Sequence, residues 1–431
     1  MRDLLVAFIV FGSLPFILKK PFWGILLLAG LGYMNPHRLC YGFMLTMPAV
    51  QIVAIVTLVG MLISKEAKRM IWSREIVLLV FFVAWMGLTT STAFYGNLAI
   101  QQYEKVIKIQ ILTFMTLLML TSERRVHLFI WVIVLSLGFY GVKGGLFTLA
   151  KGGIYRVQGP PGTFIGGNNE LALALVMTIP LMRYLHLQEK HHLIKHGLAG
   201  GMFLTVIAAF GSQSRGALVA LVVTGTIFWF KSRKKFATAF FLIIAGSVAV
   251  STMPAEWFER MQTIKTYDED KSATGRLNQW RQAINIANDR ILGGGFETWQ
   301  RPVCQRYAPN PNDCRDVHSV YFEVLGEHGY VGLAFFLGLL AMTWLKCSSI
   351  IRRTKGDPSL IWARDLAAMV QVSMVGYLSA GAFLGLAYFD YIYHIVAIVV
   401  VTSYLVGQTA KPSETAATAG DPGQTALGIR A

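Results

Sequence analysis

Charged residues are scarce in this chain, and acidic residues are the scarcest of them. Only 14% of the 431 residues are charged, with 23 acidic residues against 39 basic ones. A soluble globular domain has about 25% charged residues, so this composition excludes an ordinary soluble protein. Hydrophobic residues make up 54% and recur in runs of membrane-spanning length. Closed barrels do not show such runs, so the sequence predicts an all-α polytopic membrane protein.

The sequence also lacks the common signatures of metal and nucleotide chemistry. It has no zinc-ligand spacing, no Walker loop, no dinucleotide fingerprint and no nucleophile elbow. Asp390 and His394 have the i, i+4 spacing of a metal pair, but a third ligand is not visible. A hydrogen-bonded structural pair is the favoured interpretation of these two residues. We therefore predict neither a metal nor a cofactor.

Apolar segments predict twelve or thirteen membrane helices, because the first two are short. The segment at 4–18 lacks the basic region and the small-residue cleavage site of a signal peptide, so we expect a retained helix. The predicted spans are 4–18, 21–34, 47–63, 76–92, 106–121, 128–149, 171–187, 198–210, 216–230, 236–253, 319–345, 366–386 and 391–406.

Basic residues cluster in alternate loops, which gives the chain a predicted orientation. Six such clusters fall on one face, which the positive-inside rule assigns to the cytoplasm. The net charge of +16 is therefore a topology signal, and we predict no nucleic-acid partner. The loops predicted on the outer face are 35–46, 93–105, 150–170, 211–215, 254–318 and 387–390.

Four regions follow from this layout. Residues 1–253 hold ten membrane helices, 254–318 form one large outer loop, 319–406 hold the last helices, and 407–431 form a disordered cytoplasmic tail. The large loop is predicted to contain two amphipathic helices, at 254–267 and 272–290. It also contains Cys304 and Cys314 in an oxidising compartment, where a disulfide between them would brace the loop.

Arg215 stands in a short polar segment between two apolar runs, on the predicted outer face. Its segment, residues 210–217, contains no acidic residue. The residue also lies at the start of a helix, where the macrodipole is already positive and phosphates bind. A cation at this position indicates an anionic ligand.

Two further arginines lie in separate outer segments. Arg276 is near the start of the second predicted loop helix, and Arg156 precedes a loop rich in Gly and Pro that leads to a helix near Glu170. Guanidinium groups bind phosphate oxygens in bidentate fashion, so three arginines suit a diphosphate. The alternative for each is a pairing with lipid headgroups or with a loop carboxylate.

His318 stands where the large loop re-enters the membrane, close to Asp316. A histidine can accept a proton near neutral pH, although a hydrogen-bonded helix-cap residue is the alternative. Glu323, Glu327 and His328 follow on the same helix as packing or supporting polar groups. This set of arginines and one histidine fits glycosyl transfer from a polyprenyl diphosphate. The arginines would stabilise the leaving diphosphate and His318 would activate a hydroxyl, so the transfer would need no metal. It would be inverting if the hydroxyl attacks the anomeric carbon directly.

The chain resembles the O-antigen ligase and O-antigen polymerase superfamily of bacterial envelope proteins. The resemblance rests on Ser212–Gly216, Gly275-Arg276 with Trp280, Gly293–Phe296, the Arg156 loop with Thr163-Phe164 and Asn168-Asn169, and His318 with Glu323, Leu325, Gly326, Gly329, Val331, Gly332 and Leu333. The chain is also similar to O-glycosylation ligases of exosortase systems in Met1–Leu4 and Gly32–Arg38.

The resemblance implies a GT-C-like fold in the bacterial inner membrane, with the active site facing the periplasm. The implied donor is an undecaprenyl-diphosphate-linked glycan, and the implied acceptor is lipid A–core in lipopolysaccharide biosynthesis, or a protein. His318 would activate the acceptor, and Arg215 and Arg276 would bind the diphosphate. Other functions left open are an O-antigen polymerase, a protein O-oligosaccharyltransferase and a lipid-linked glycan transporter. The supporting polar residues around the site are expected to be Asp316, Tyr321, Glu323 and Asn168.

Overall fold

A computed structural model describes residues 1–262 and 271–409, and these ranges form helices joined by loops, without strands. The predicted all-α polytopic fold is confirmed. In chain order the α-helices are α1 Arg2–Lys19, α2 Pro21–Met34, α3 Ala49–Ile63, α4 Arg74–Ser91, α5 Gly96–Met119, α6 Glu123–Lys151, α7 Asn168–Gln188, α8 His192–Gly211, α9 Arg215–Lys231, α10 Lys235–Ser251, α11 Ala255–Gln262, α12 Lys271–Asp289, α13 Arg301–Tyr307, α14 Val320–Arg353, α15 Ile361–Gly381 and α16 Asp390–Thr409.

Each of the thirteen predicted spans coincides with one of these helices. Six helices in the described ranges are long and apolar enough to cross a membrane alone: α4, α6, α7, α8, α14 and α16. The pair Lys235–Ser251 and Ala255–Met261 passes the same test together but is bent by 113°. Pro21–Met34 and Ala49–Ile63 are shorter apolar helices. The predicted total of twelve or thirteen crossings stays a prediction.

The loops gather at two opposite ends of the helix bundle. At one end, the Phe94 amide donates to the Gly294 carbonyl and the Val157 amide donates to the Gly211 carbonyl, both over 2.9 Å. We call this the long-loop end, because it carries α11–α13. The other end, called the basic end, is held by ion pairs between predicted cytoplasmic segments: Arg125 with Glu66, Arg233 with Asp365 and Lys346 with Glu75.

The centre of the bundle is formed by helices that are apolar on every side. In α7 the residues from Leu171 to Met182 are all buried, and α16 is buried almost continuously from Tyr391 to Thr402. Helices without a polar face belong in the interior of a bundle. Helices α7, α15 and α16 therefore form a rigid centre, and the connections at its long-loop end carry the polar residues discussed below.

Helix α14 is interrupted at Gly329, which has φ 67° and ψ −172°. The break frees carbonyls of the preceding turn, and the Gly294 and Gly295 amides donate to the Gly326 and Glu327 carbonyls over 2.9 Å. The glycine run that follows α12 thus satisfies backbone groups that the interrupted helix leaves open. This pairing fixes the large loop against α14.

The large loop contains a helix at each of the two positions where the sequence predicts one. Helix α12 begins and ends within one residue of the second predicted loop helix. The first, predicted at 254–267, is observed as α11, and residues 263–267 lie outside the described residues.

Cys304 and Cys314 are joined by a disulfide, with 5.8 Å between their Cα atoms. The predicted tail at 407–431 lies outside the described residues from position 410 onward, and residues 407–409 belong to α16.

Candidate active site

A polar cavity of about 90 Å³ lies at the long-loop end and brings three arginines together. Arg215 comes from the start of α9, Arg260 from α11 and Arg276 from α12. Phe383 and Leu384, in the connection between α15 and α16, form an apolar wall. Three guanidinium groups from three elements make this cavity strongly positive, which is the property that an anionic ligand requires.

Arg215 is held in position by the turn between α8 and α9. The Ser214 hydroxyl accepts a hydrogen bond from the Ala217 amide over 3.2 Å and caps α9, so Arg215 is the first residue of the helix. Gln213 has a left-handed φ of 54°, and its side-chain amide donates to the Gly153 carbonyl over 2.8 Å. The turn is thereby tied to the loop that carries Arg156, and the helix dipole adds to the positive potential at Arg215.

Arg276 is half-buried near the start of α12. Burial lowers its pKa, and the nearby charges of Arg215 and Arg315 lower it further. Its Nε atom is buried and has no hydrogen-bond partner within the described part of the chain. Because an arginine stays protonated in proteins, these effects indicate that Arg276 lies in a positive potential and not that it loses its charge.

The glycine before Arg276 allows Arg315 to approach. A Cβ atom at Gly275 would lie 2.7 Å from the Arg315 Cζ atom, so any other residue would push this guanidinium away. Arg315 also forms an ion pair with Asp313, which fixes it beside the loop. The Gly275-Arg276 pair in the sequence therefore has a steric reason as well as an electrostatic one.

Sequence reasoning missed Arg260. This residue lies within the electrostatic reach of Arg156 and Arg215, and it lines the cavity with Arg215 and Arg276. The available signal was its place on a predicted amphipathic helix close to the membrane. Arg156 itself is exposed at the rim, where its Nε atom donates to the Gln213 side-chain oxygen over 3.4 Å. Arg156 therefore lies beside the cavity and not in its lining.

His318 lies outside the lining of the arginine cavity as the described residues define it, but it is connected to the same elements. Its Nδ1 atom is 3.3 Å from the Asp316 Oδ2 atom, and its backbone has a left-handed φ of 46°. The Trp280 indole donates to the Val317 carbonyl over 3.1 Å. Since Trp280 is one turn beyond Arg276 on α12, Arg276 and His318 are held in neighbouring positions. With Nδ1 facing Asp316, the Nε2 atom is available to a ligand hydroxyl.

Carboxylates surround the segment that precedes α14. Asp316, Glu323 and Glu327 line a second small cavity with residues of α12. The Glu323 Oε2 atom accepts a hydrogen bond from the Ala387 amide over 3.0 Å, and Glu327 accepts one from the Tyr388 hydroxyl over 2.6 Å. These bonds attach the α15–α16 connection to α14. The same connection contributes Phe383 and Leu384 to the arginine cavity, so it touches both polar regions.

Two other predicted supporting residues are engaged with backbone groups. The Asn168 amide donates to the Ser212 carbonyl over 2.8 Å, which fastens the start of α7 to the turn before Arg215. The neighbouring Asn169, and not Asn168, lines the arginine cavity. The Tyr321 hydroxyl donates to the Leu378 carbonyl over 2.7 Å and joins α14 to α15. Both contacts support the site from outside.

The predicted hydrogen-bonded pair of Asp390 and His394 is wrong. The His394 Nδ1 atom is 2.5 Å from the Tyr33 hydroxyl, and its Nε2 atom is 3.5 Å from the Thr116 hydroxyl. Asp390 begins α16, where its carboxylate accepts hydrogen bonds from the first amides of its own helix. The i, i+4 spacing does not produce a hydrogen bond here, because the amides at the start of α16 are closer donors to the Asp390 carboxylate. Within residues 1–262 and 271–409, no cluster of three metal-binding side chains occurs.

Comparison with known families identifies the central part of the chain. Residues 200–337 match the model of the family described as O-antigen ligase. This central third of the chain is similar to the O-antigen ligase family. The match includes Arg215, Arg276 and His318, and this similarity supports glycan transfer of a general ligase or polymerase type by a multi-pass membrane protein. In general terms, the similarity implies lipid-linked glycans and membrane lipids as partners. Residues 1–190 match a family of unknown function, DUF5935. No curated protein matches the chain.

Proposed function

We propose that this chain is an O-antigen ligase. It transfers a glycan from undecaprenyl diphosphate to a sugar hydroxyl of lipid A–core, at the periplasmic face of the bacterial inner membrane. The transfer is inverting and needs no metal ion. In this proposal the long-loop end faces the periplasm, the basic end faces the cytoplasm, and the chain adopts a GT-C-like arrangement.

The observation that carries the proposal is the cavity lined by Arg215, Arg260 and Arg276. A diphosphate leaving group carries its negative charge on oxygens, and fixed guanidinium groups stabilise that charge more strongly in a partly buried site than in water. Arg156, at the rim, is suited to meet the diphosphate as it enters. The position of Arg215 at the start of α9 adds the dipole of the helix to the same task.

The proposed step forms one bond and breaks another. The acceptor hydroxyl oxygen attacks the anomeric carbon, while the bond between that carbon and the diphosphate oxygen breaks. The hydroxyl proton passes to the Nε2 atom of His318, whose Nδ1 atom faces Asp316. The bonding electrons leave with undecaprenyl diphosphate, which the arginines hold. Glu323 accepts a hydrogen bond from the Ala387 amide and thereby positions the α15–α16 connection; it does not touch the reacting atoms.

Three other functions differ from this proposal in one reactant or one product. A polymerase would use a second lipid-linked glycan as the acceptor, and a protein O-oligosaccharyltransferase would use a protein hydroxyl. A transporter of lipid-linked glycans would move the donor between leaflets without forming a new glycosidic bond. Transporters commonly have broken helices at the membrane midplane, whereas the polar residues described above lie at the long-loop end.

A reconstituted transfer assay tests the proposal. Purified protein is incubated with undecaprenyl-diphosphate glycan and lipid A–core, with EDTA in one arm and Mg²⁺ in the other. We expect equal transfer in both arms, and transfer that depends on EDTA-removable metal would contradict the metal-independent mechanism. Donor that changes leaflet without reacting would exclude the ligase. Parallel reactions with donor alone and with a protein acceptor distinguish the polymerase and the protein transferase.

Two variants test the residue roles. Arg215→Ala and His318→Ala should each abolish transfer while the protein keeps its helical circular dichroism and its melting temperature. Loss of one preorganised donor costs about 100- to 1000-fold in rate. Arg215→Lys should recover part of the activity, since it restores the charge without the bidentate geometry. Wild-type transfer by Arg215→Ala would remove this residue from the mechanism.

A further inference from the structure

Another cavity, called the basic cavity, lies at the basic end, away from the candidate active site. Its volume is about 440 Å³, and it opens between the ends of α7 and α9 and the starts of α8, α10 and α15. Along α9, the distance from Arg215 to Lys231 is about 24 Å at the rise of an α-helix. The two cavities are therefore separate.

Lysine and arginine side chains dominate the polar part of this cavity. Its only carboxylate in the described ranges is Asp365, which pairs with Arg233 over 2.7 Å and accepts a hydrogen bond from Gln188 over 3.1 Å. No carboxylate in the described part of the chain lies within ion-pair distance of the other four cations. These are Arg183, Lys195, Lys231 and Lys234.

Local hydrogen bonds orient two of these four cations. The Arg183 guanidinium lies 3.0 Å from the His186 Nδ1 atom, and the Lys231 ammonium donates to the Gln371 side-chain oxygen over 2.6 Å. Neither partner carries a negative charge at neutral pH. The cavity therefore has a net positive charge and a preformed set of donors, which favours a phosphate group.

The remaining lining of the cavity is apolar. Leu187, Ala368 and Met369 contribute to its walls. Phe228 also lines a neighbouring groove, which is almost wholly apolar and has a volume of about 400 Å³. That apolar groove runs between α8, α9 and α10 toward Phe210. A cationic cavity that shares the lining residue Phe228 with an apolar groove fits an amphiphile with an anionic head better than a soluble anion.

We propose that this basic cavity binds the phosphodiester headgroup of an anionic phospholipid, with one acyl chain in the apolar groove. Basic pockets between membrane helices on the cytoplasmic side favour such lipids, because the phosphate is desolvated beside several cations while the chain stays in an apolar environment. A membrane-surface attraction alone would require exposed lysines, but it would not require a cavity between helices beside an apolar groove.

Lipid retention on the full-length, detergent-purified protein tests the site. Delipidated protein is mixed with dioleoylphosphatidylglycerol, with dioleoylphosphatidylcholine or with inorganic phosphate, and bound lipid is counted by native mass spectrometry beside a thermal melt. We expect a retained one-to-one complex and a raised melting temperature with phosphatidylglycerol only. Equal retention of phosphatidylcholine would overturn the proposal. Equal stabilisation by phosphate would also overturn it, because it would identify a site for a free anion.

Two variants of different chemistry keep the test independent of folding. Lys195→Gln with Lys234→Gln removes two cations and should weaken phosphatidylglycerol retention roughly tenfold or more. Ala237→Trp fills the cavity without changing any charge and should produce a similar loss. The matched control, Lys190→Gln with Lys355→Gln, removes two exposed cations of the basic end that do not line the cavity, and it should retain the lipid like the wild type. Unchanged retention in both cavity variants would refute the site.

Discussion

Arg215 and Arg276 both lie where the local electrostatic potential is already positive. Arg215 adds a positive charge to the positive end of a helix, and Arg276 is half-buried beside two further arginines. Burial removes hydration from Arg276, and the like charges of Arg215 and Arg315 repel it. Clusters of like charge that line a cavity are typical of functional sites, and this one suits a ligand of negative charge.

Arg276 therefore has a testable role that its exposed neighbour on α12 does not share. Arg276→Ala should lower kcat/KM for glycan transfer about 100-fold, since it removes a preorganised donor to the diphosphate. The control is Arg281→Ala, on the same helix but exposed to solvent. It changes the same net charge and should leave kcat/KM within about twofold. Equal losses in both variants would indicate a general electrostatic effect instead of a specific contact.

Glu297 gives the long-loop end a pH dependence of known sign. Burial raises its pKa, and the nearby Asp316 raises it as well, although Trp299 and Lys105 oppose the shift. The folded protein thus keeps the proton to a higher pH than the unfolded chain. This contribution to stability is complete below the unfolded pKa and is lost as the pH rises through the folded pKa.

A glutamine at this position removes the titration. Glu297→Gln should raise the melting temperature by roughly 1–3 °C at pH 8 and leave it nearly unchanged near pH 4. Scanning fluorimetry in detergent at both pH values measures the difference. Glu104→Gln is the control, because that side chain is 62% exposed. A larger gain at pH 4 than at pH 8 would contradict the assigned direction.

At the scale of elements, α14 is two helices joined by one non-helical residue. Gly329 has a φ and ψ combination that is essentially restricted to glycine. The position also lies against the backbone carbonyl of Ile291, which leaves no room for a side chain. The break therefore depends on this glycine for two reasons, the dihedral angles and the close approach of the loop.

Replacement of this glycine should destabilise the protein specifically at the large loop. Gly329→Ala should cost about 1–3 kcal/mol of folding free energy, measured as a lower melting temperature. Gly246→Ala is the matched control, since a Cβ atom there meets nothing within 4 Å and the residue is in a regular helix. It should leave the melting temperature unchanged or slightly raised. An unaffected Gly329→Ala protein would mean that the interruption of α14 is not a fixed feature.

The elements themselves could be predicted because long apolar runs leave few alternatives to a helix. All thirteen predicted spans are helices, and the loop helix at 272–290 is within one residue of α12. The contact partners could not be predicted in the same way. On the sequence alone, Arg260 is an ordinary solvated residue of a predicted amphipathic helix. The wrong pairing of Asp390 with His394 came only from their i, i+4 spacing. Both depend on contacts between distant segments, which a local pattern does not contain.

At the scale of the whole molecule, the charges separate toward the two ends. The three arginines of the candidate site and the large loop lie at the long-loop end, and the lysine clusters lie at the basic end. The alternation of basic loops predicts that the basic end faces the cytoplasm. The structure groups the loops in the way that this alternation requires, whereas the compartment at each end is part of the proposed function.

Cysteine labelling of intact cells tests the orientation. Tyr155→Cys should react with a membrane-impermeant maleimide in spheroplasts, because Tyr155 is 60% exposed at the long-loop end. Lys355→Cys, exposed at the basic end, should react only after permeabilisation. The two unpaired native cysteines, Cys40 and Cys347, are buried and give a low background. The reverse labelling pattern would place the arginine cavity in the cytoplasm and exclude the proposed ligase.

The short connection between α15 and α16 separates the arginine cavity from the carboxylates next to His318. One side of it packs on Gly216, where a Cβ atom would lie 3.2 Å from the Phe383 Cβ atom, and the other side holds Gly385 against Asp316. A displacement on one side must therefore move the other. Under the proposed function, this connection contacts both the cavity that holds the donor diphosphate and the segment that carries His318, so the affinity of donor and acceptor each depends on the presence of the other. Thermodynamic linkage requires this cooperativity factor to be the same in both directions.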